Sequence, residues 1–337
     1  MNRTTKFQKS KSSSFRNNTS RRKFIQGAGV AVGGAVAHSL GNSETVQAGQ
    51  VPAVNPRIRL RQLLENQDLI RCVNCGDVAT GRLVEMHGFE VAMTGGSALS
   101  LSKFGLGDYG MITIDDLIEY CSRMTDAIQL PVISDADDGG GNPLNVYRAI
   151  QRFERAGAAC VMIEDLYGAK HLRGLSEGKI LSAAAMVDKV HAATDARRDG
   201  DTLIMTRCDI IAAGGTVEEA LERVSLYAHE GGDIIFVPSI PIEECSRAVE
   251  MSGRPMMASV NQASAARNHR VSIAFFGGIN VLALGAIDRA LGEIIQDGAV
   301  GETSDITLDQ DRRMELIRND TTAEMARRYN AQRQDGQ

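Results

Sequence analysis

Acidic residues follow two apolar runs of the chain, at points where buried strands would end. Asp135 directly follows residues 131–134, Asp137 comes two positions later, and Glu164 follows residues 160–163. Carboxylates crowded at the ends of neighbouring strands repel one another unless a cation or a proton lies between them, and their hard oxygen atoms suit Mg²⁺ or Mn²⁺. The alternative is that these acids only cap the helices that follow. Because they come from different strands, the sequence predicts a shared site for Mg²⁺ (or Mn²⁺) among the acids at these strand ends, which also include Asp138 and Asp165.

Groups that could bind an anion end two other apolar runs. Thr94, Gly95 and Gly96 offer a hydroxyl and backbone N–H groups after residues 90–93. Arg207 ends another run and could hold a carboxylate or phosphate through two parallel hydrogen bonds. The alternative for Arg207 is an ion pair with Asp209. A dication beside anion-binding groups favours a small di-acid or 2-oxo acid as the substrate.

Eight apolar runs alternate with helical segments and would carry these residues. Helices are expected at residues 145–156, 183–196 and 216–230, among others. Eight strand–helix alternations favour an α/β fold of the (β/α)₈ TIM-barrel type, with a doubly wound open sheet as the alternative. In such a barrel the active site lies at the carboxyl ends of the strands. The predicted strands are residues 70–75, 90–94, 131–135, 160–164, 202–207, 233–237, 255–260 and 271–276.

Composition limits the classes of function. The 337 residues are 43% hydrophobic, which allows one large core. There is no Trp, and aromatic residues make up only 4% of the chain, so platforms for stacking nucleic-acid bases are not expected. The formal net charge is −5, although residues 1–50 carry eight Lys/Arg against a single acid, Glu44. An acidic body therefore argues against nucleic acid as a partner.

The N-terminal segment is typical of an export signal. Residues 20–25 resemble a bacterial twin-arginine signal, built on Arg21 and Arg22, and the apolar stretch 27–37 that follows is too short and glycine-rich for a stable membrane span. The sequence predicts a signal and linker at residues 1–50, a catalytic barrel at 51–300 and a C-terminal helical tail at 301–337. Export by the twin-arginine route, to the periplasm or beyond, is the expected location. A basic disordered tail or an organellar transit peptide, and a cytoplasmic location, are the alternatives.

The six cysteines do not form a recognisable metal site. Cys160 and Cys208 lie in strand-like runs and are expected to be small core residues. Cys72 and Cys75 have the spacing of a redox pair or metal knuckle, but no second pair or histidine cluster completes a zinc site. We therefore expect a buried pair at the end of a strand.

The order and spacing of these motifs resemble those of the isocitrate lyase / phosphoenolpyruvate mutase superfamily, from about residue 70 to residue 300. The resemblance implies a (β/α)₈ barrel, a homotetramer with a C-terminal helix swapped between neighbours, and Mg²⁺ held by Asp135, Asp137 and Glu164. The motifs that carry it are Thr94-Gly95-Gly96, residues 105–110 (GLGDYG), residues 135–141 (DADDGGG), Ala156-Gly157-Ala158 with Ile163-Glu164-Asp165, and residues 205–209 (MTRCD).

The same resemblance assigns roles at the substrate. The substrate carboxylate would rest on Thr94, Gly95 and Gly96 with Arg207, and Asp108 would lie beside the reacting centre. The family's chemistry makes or breaks a C–C or P–C bond next to a 2-oxo or 2-hydroxy carboxylate through a metal-stabilised enolate. A dication bridging the carboxylate and the adjacent oxygen would neutralise the charge that develops.

The chain departs from the lyase pattern in the loop after the fourth strand. Isocitrate and methylisocitrate lyases have a catalytic Cys there, in the motif Lys-Arg-Cys-Gly-His, whereas this chain has Leu172, which cannot transfer a proton. His171 is the candidate replacement by its intrinsic pKa, and its alternative is a solvated loop residue. The glycines of this segment would let it move as a gate.

Other lyase positions are also changed. The sixth-strand Glu falls in residues 237–239, where there is no acid, the seventh-strand Asn becomes Ser259, and the Arg after the eighth strand falls in residues 278–282, where there is no cation. These changes argue against true isocitrate or methylisocitrate lyase activity. The sequence favours a Mg²⁺-dependent carbon–carbon lyase acting on a small 2-oxo or 2-hydroxy (di)carboxylic acid, by C–C cleavage or decarboxylation, with Asp108, Arg207 and His171 as catalytic residues. A phosphonopyruvate-type P–C mutase or hydrolase and a non-catalytic metal- and acid-binding barrel are the alternatives.

Overall fold

Eight parallel strands close into a barrel in the computed structural model, which describes residues 54–168, residue 170 and residues 179–334, with side chains up to residue 330. Each strand pairs with its neighbours in chain order, and β1 pairs with β8 to close the barrel. The predicted (β/α)₈ fold is therefore confirmed, with every strand within two residues of its expected bounds. The strands are β1 Ile70–Asn74, β2 Val91–Thr94, β3 Val132–Asp135, β4 Cys160–Glu164, β5 Leu203–Arg207, β6 Ile234–Phe236, β7 Met256–Ser259 and β8 Ile273–Phe276.

Helices connect the strands, and polar side chains cap several of their N-terminal ends. Thr113 and Thr216 each start a helix with a capping box, and Asn142 caps the helix that opens on Pro143. The helices expected at 145–156, 183–196 and 216–230 correspond to α5, α6 and α7. The α-helices are α1 Pro56–Asn66, α2 Val78–Met86, α3 Gly96–Leu99, α4 Ile114–Ala127, α5 Pro143–Arg155, α6 Ala183–Ala196, α7 Val217–His229, α8 Cys245–Ser252, α9 Ala263–Asn268, α10 Ile279–Asp297, α11 Gln310–Leu316 and α12 Asn319–Gln334.

The apolar residues form two cores separated by the strands. Residues such as Ala92, Val161 and Ile204 point outward and pack under the helices. Their strand neighbours Met93, Met162 and others point inward and fill the barrel. Because side chains alternate between the two faces of a strand, the last inward residue of each strand lies at the rim of the barrel, next to solvent.

The C-terminal helices differ in how they meet the barrel. Arg318, between α11 and α12, hydrogen-bonds to the Ala127 carbonyl at 2.5 Å and pairs with Glu85. In contrast, only Asn280 is buried among the 19 residues of α10, which is rich in exposed apolar side chains. None of the helices in the described ranges is both long and apolar enough to cross a membrane.

The six cysteines are all buried and unpaired. Burial raises the pKa of the Cys75 thiol to about 12, with the charge of Asp77 adding to the shift. Cys72 faces the barrel interior, whereas Cys75 belongs to the outer core. The pair is therefore structural, as the sequence indicates, and its thiols are poor nucleophiles.

Candidate active site

Strand alternation places a ring of polar side chains inside the carboxyl rim of the barrel. Asn74, Asp135, Glu164 and Arg207 are the last inward-facing residues of β1, β3, β4 and β5, two positions beyond core residues such as Cys72 and Met162. Glu164 and Arg207 are directly paired in the strand register. The rim is therefore charged on one side of the barrel.

A turn with unusual backbone geometry adds Asp137 to this ring. Asp137 has a left-handed conformation with φ 49°, and its N–H donates to Asp135 Oδ1 at 3.0 Å. The Asp137 carbonyl accepts from the Glu164 N–H at 2.9 Å, which ties the turn to the neighbouring strand. Gly139 continues the turn at φ 77°. Glycine adopts this conformation without strain, so Gly139 lets the chain continue the turn that places Asp137 beside the rim.

The three carboxylates predicted to hold the metal converge. Each of Asp135, Asp137 and Glu164 offers an oxygen atom that lies within 4.8 Å of the other two. Asp135 and Glu164 are buried, at 4% and 1% exposure, and Asp135 Oδ2 also accepts from the Gly96 N–H at 3.0 Å. We name this group the acidic triad.

Lys170 lies in the middle of the acidic triad and was missed by the sequence analysis. Its ammonium nitrogen is 2.5 Å from Asp137 Oδ1, 3.3 Å from Glu164 Oε1 and 3.4 Å from Asp108 Oδ1. Burial disfavours the charge on Lys170, but Glu164 and Asp137 outweigh that cost and raise its pKa well above the ordinary value. The sequence held an unused signal, because with Leu172 at the Cys position of the lyase motif Lys-Arg-Cys-Gly-His, Lys170 takes the position of that motif's lysine.

Burial raises the pKa values of two carboxylates of the triad. Burial raises the pKa of Asp137 to about 6, and the charge of Asp135 adds to this shift while Lys170 opposes it. Burial raises the pKa of Glu164 to about 8, against the lowering effect of Arg207 and Lys170. Burial therefore favours the uncharged forms of Asp137 and Glu164, and the nearby cations offset only part of that effect.

The guanidinium group of Arg207 forms ion pairs with two acidic side chains of the protein. Its Nε and Nη2 donate to the two carboxylate oxygens of Asp209 at 2.7 and 2.8 Å, and its Nη1 lies 3.1 Å from Glu164 Oε2. The ion pair with Asp209, the alternative drawn from the sequence, is therefore present. The guanidinium edge expected to hold a substrate carboxylate is already used, although Arg207 still lines the cavity described below.

The predicted anion-binding residues of β2 are also bonded internally. Thr94 faces outward, and its hydroxyl hydrogen-bonds to that of Ser134 at 2.9 Å. The Gly95 N–H donates to Asn74 Oδ1 at 3.0 Å, and the Gly96 N–H donates to Asp135. Of these three predicted binding residues, Gly95 lines the cavity and the Thr94 side chain does not, because Thr94 has the outward position on its strand. Asn74 was missed, although its position two residues after Cys72 signals an inward rim side chain.

Two cavities meet at the acidic triad. The first is about 360 Å³ and contains Asp108, Asp135 and Arg207 in its lining. The second is about 300 Å³ and is lined by Asp137, Glu164 and Lys170 together with apolar residues of the loop before α4. The predicted catalytic residue Asp108 thus lies beside both a cavity and the ammonium of Lys170. His171, the third predicted catalytic residue, lies outside the described residues, as does Leu172.

The triad suits a hard dication. Its donors are all carboxylate oxygens, which Mg²⁺ and Mn²⁺ prefer. Glu164 Oε2 is buried and accepts no hydrogen bond, since its ion-pair partner Arg207 Nη1, 3.1 Å away, lacks hydrogen-bond geometry, so the oxygen keeps a lone pair that a dication could use. Asp135, Asp137 and Glu164 would hold the ion, directly or through water.

These features define a class of protein. A (β/α)₈ barrel with a carboxylate cluster and a cavity at the carboxyl ends of its strands has the architecture of a metal-dependent barrel enzyme. The chain belongs to the phosphoenolpyruvate phosphomutase family, whose model matches residues 60–286. The superfamily expected from the motifs is therefore confirmed.

Comparison with individual proteins gives a consistent result. The 2-methylisocitrate lyase of Aeropyrum pernix is 35% identical over 212 residues, which are 63% of this chain and 68% of that protein. The 2,3-dimethylmalate lyase of Eubacterium barkeri is 34% identical over 57% of this chain and 66% of its own length. An oxaloacetate decarboxylase of Rhodopseudomonas palustris is 37% identical over 55% of this chain and 64% of its own length. The chain thus spans about two thirds of the length of these relatives.

A solved structure supports the same fold assignment. Oxaloacetate acetylhydrolase in complex with the inhibitor 3,3-difluorooxalacetate superimposes with a TM-score of 0.74, over 82% of this chain and 97% of that one, at 25% identity. The relatives compared above all carry the names of enzymes that break a carbon–carbon bond.

Proposed function

We propose that this protein is a Mg²⁺-dependent lyase that acts on a small 2-oxo or 2-hydroxy carboxylic acid through an enolate. The single observation that carries the proposal is the convergence of the acidic triad within 4.8 Å beside a cavity of about 360 Å³. Bound by the triad, Mg²⁺ would supply positive charge to the substrate's carboxylate and adjacent oxygen. The named activities of the relatives, on methylisocitrate, dimethylmalate and oxaloacetate, all concern acids of this class.

Other side chains of the site would orient the substrate and transfer protons. Asn74 and Ser97 line the first cavity with polar groups that can orient the substrate. Asp108, 3.4 Å from the Lys170 ammonium, is placed to orient the reacting group or a water molecule. Arg207 would act mainly by its positive charge, because Asp209 fixes its orientation. His171 remains our candidate for proton transfer on the loop after β4.

The choice between C–C cleavage and decarboxylation follows from the lost proton donor. Leu172 stands where isocitrate and methylisocitrate lyases have their catalytic Cys, and Ser259 stands where those lyases have Asn. Loss of CO₂ depends less on that thiol than aldol-type cleavage does. We therefore favour decarboxylation of a 2-oxo acid, with cleavage of a 2-hydroxy acid as the second reaction of the same site.

The test uses the purified full chain with Mg²⁺ and a panel of acids. Oxaloacetate, 2,3-dimethylmalate and methylisocitrate are each incubated with the protein, and release of pyruvate, propionate or succinate is followed by chromatography. Turnover of any of these acids that is abolished by a chelator and restored by Mg²⁺ supports the proposal. If no 2-oxo or 2-hydroxy acid is turned over but phosphonopyruvate is, as followed by phosphorus NMR, the enzyme breaks a P–C bond instead. Binding of Mg²⁺ and oxalate without any turnover would indicate a non-catalytic barrel.

Two further proposals concern the whole protein. We propose that copies assemble as a homotetramer through α10, as the exposed apolar side chains of that helix suggest. We also propose export by the twin-arginine route, on the basis of Arg21 and Arg22. Replacement of both by Lys should retain the protein in the cytoplasm of a bacterial host, and unchanged fractionation would contradict export by this route.

A further inference from the structure

The Glu164 carboxylate has two possible cationic partners, the Arg207 guanidinium and a bound dication. Arg207 Nη1 lies 3.1 Å from Glu164 Oε2, yet this oxygen accepts no hydrogen bond from the described residues. A guanidinium group keeps its charge throughout the physiological pH range, so it would neutralise the oxygen if it turned to donate a hydrogen bond. The orientation of Arg207 therefore decides whether Glu164 Oε2 is available to a dication.

Asp209 fixes the orientation of the Arg207 guanidinium. Nε and Nη2 of Arg207 donate to the two carboxylate oxygens of Asp209 at 2.7 and 2.8 Å. Two parallel hydrogen bonds of this kind define the plane of the guanidinium group as well as its position. Asp209 is only 2% exposed, so little water reaches the pair. With its plane fixed, the guanidinium stays close to Glu164 Oε2 without donating to it.

Asp165, one of the acids at the strand ends, holds the backbone that carries Asp209. It follows the inward-facing Glu164 and is fully buried on the opposite, outward face of the barrel wall. The Asp165 N–H donates to the Arg207 carbonyl at 3.2 Å, and Asp165 Oδ1 accepts from the Asp209 N–H at 2.8 Å. These two bonds hold both ends of the segment 207–209.

Two side chains of α7 hold the Asp165 carboxylate in turn. The Tyr227 hydroxyl donates to Asp165 Oδ2 at 2.9 Å, and Arg223 Nη1 lies 3.4 Å from the same oxygen. Arg223 Nη1 also donates to the Tyr227 hydroxyl at 3.0 Å. Hydrogen bonds and an opposite charge offset the cost of burying a carboxylate. We name Asp165, Tyr227 and Arg223 the outer anchor, and its contacts extend from α7 to Asp209.

We propose that Asp209 and the outer anchor keep Glu164 Oε2 available to the dication by holding the Arg207 guanidinium in place. Asp209, Asp165 and Tyr227 are then positioning residues for the metal site. Without them the guanidinium turns and hydrogen-bonds to Glu164, and a dication has to displace it before it can bind. This inference rests on the proposed function, because it takes the acidic triad as the Mg²⁺ site.

The test is a double-mutant cycle in which titration calorimetry measures the Mg²⁺ affinity of the full chain. Asp209→Asn keeps the shape of the side chain but removes the carboxylate that orients Arg207, and we expect it to weaken Mg²⁺ binding by about tenfold or more. In the Arg207→Gln background no guanidinium can turn toward Glu164. There the same substitution should change Mg²⁺ affinity by no more than about twofold.

Two results of this cycle would overturn the inference. If Asp209 acts only through its negative charge, Asp209→Asn weakens Mg²⁺ binding by at least as much in the Arg207→Gln background as in the wild-type background. Unchanged Mg²⁺ affinity in Asp209→Asn alone would also contradict it. Either result leaves the proposed function intact, because the wild-type chain still binds Mg²⁺. If the wild-type chain binds no Mg²⁺, the proposed function fails, and this inference fails with it.

A second variant tests the outer anchor without changing any charge of the site. Tyr227→Phe removes the hydroxyl that binds Asp165 and should weaken Mg²⁺ binding by about threefold, an effect that Arg207→Gln should abolish. Tyr120→Phe is the matched control, because Tyr120 is also buried and its hydroxyl donates to the Cys75 carbonyl at 2.9 Å, after β1. Both variants should lower the melting temperature by similar amounts. Equal Mg²⁺ affinity in the two would exclude a positioning role for the outer anchor. If Asp209→Asn does not fold, the cycle of Tyr227→Phe with Arg207→Gln decides alone.

Discussion

At the scale of single residues, the site combines buried carboxylates with two cationic side chains, Lys170 and Arg207, that are themselves held by ion pairs. Glu164 contacts both Lys170 and Arg207, yet one of its oxygens accepts no hydrogen bond. Buried ion pairs of this kind contribute little net stability, because desolvation offsets much of the attraction. Their arrangement here is better explained by a dication that joins them than by the stability of the barrel.

Removal of one triad carboxylate should strongly weaken metal binding without unfolding the protein. Glu164→Gln keeps the shape of the side chain and removes a charge that burial already disfavours, as its pKa of about 8 indicates. We expect Mg²⁺ affinity to fall by roughly 100-fold or more, with the melting temperature of the metal-free protein unchanged or higher. Asp138→Asn is the matched control, since Asp138 lies in the same turn but accepts from the Gly140 and Gly141 N–H groups. Calorimetry that finds equal Mg²⁺ affinity in the two variants would rule out the triad as the metal site.

Metal affinity should also rise with pH. A dication binds the deprotonated carboxylates, so groups whose pKa is raised must first release protons. Between pH 6, near the pKa of Asp137, and pH 8, near that of Glu164, one proton should be released for each ion bound. Apparent Mg²⁺ affinity should then increase about tenfold per pH unit in this range and level off above it. Calorimetry in two buffers of different ionisation enthalpy counts the protons directly, and an affinity independent of pH would contradict the raised pKa values.

At the scale of elements, the parts of the site that were predictable are those that strand alternation determines. The eight strands could be found because each is a short apolar run between helical segments, and Asp135, Glu164 and Arg207 followed as their ends. Thr94 was expected at the substrate but faces outward, since it ends its strand on the opposite face from Met93. Alternation alone would have corrected that interpretation.

The other residues of the site are positioned by turns and loops, whose course no periodic sequence pattern predicts. Asp137 reaches the triad through a left-handed turn, and Lys170 reaches it from a loop six residues beyond β4. Arg207 is held by Asp209, two residues away, an alternative that the sequence suggested without deciding between the two. Which side chains pair depends on the three-dimensional arrangement of neighbouring strand ends. The sequence therefore predicted the candidate residues but not their ion pairs.

The turn between β3 and α5 offers a direct test of how an element positions the metal site. At Gly139 (φ 77°) an added Cβ would lie 2.5 Å from Val146 Cγ2, whereas at Gly88 (φ 73°) it would meet no atom within 4 Å. Both Gly→Ala variants therefore carry the same left-handed strain of about 1–2 kcal/mol, and only Gly139→Ala adds a steric clash of about 1–3 kcal/mol. Gly139→Ala should lose more stability in chemical denaturation and should also weaken Mg²⁺ binding, because the turn carries Asp137. Equal losses in the two variants, with Mg²⁺ binding intact, would show that the turn does not position the triad.

At the scale of the whole molecule, the C-terminal part of the chain shows two kinds of surface. The segment between α11 and α12 is tied to the barrel through Arg318. The Glu293 carboxylate of α10 accepts hydrogen bonds from the N–H groups of Gly301 and Thr303. The rest of α10 presents apolar side chains at helical spacing to solvent. Contiguous exposed apolar surface of this kind marks an interaction site.

The apolar stripe of α10 should therefore mediate assembly of the protein. Leu284, Ile287, Leu291 and Ile295 follow one another at helical spacing, and Ile295 is 87% exposed. A second copy is the simplest partner, because closed symmetric assembly covers the same stripe on every subunit. The double variant Leu291→Asp/Ile295→Asp should lower the molecular mass in sedimentation equilibrium from a tetramer to a smaller species. Gln296→Asp is the control: it adds charge to the same helix but lies about a third of a turn away from Ile295. A wild-type chain that sediments as a monomer would refute this assembly, and so would a double variant whose mass equals that of the control.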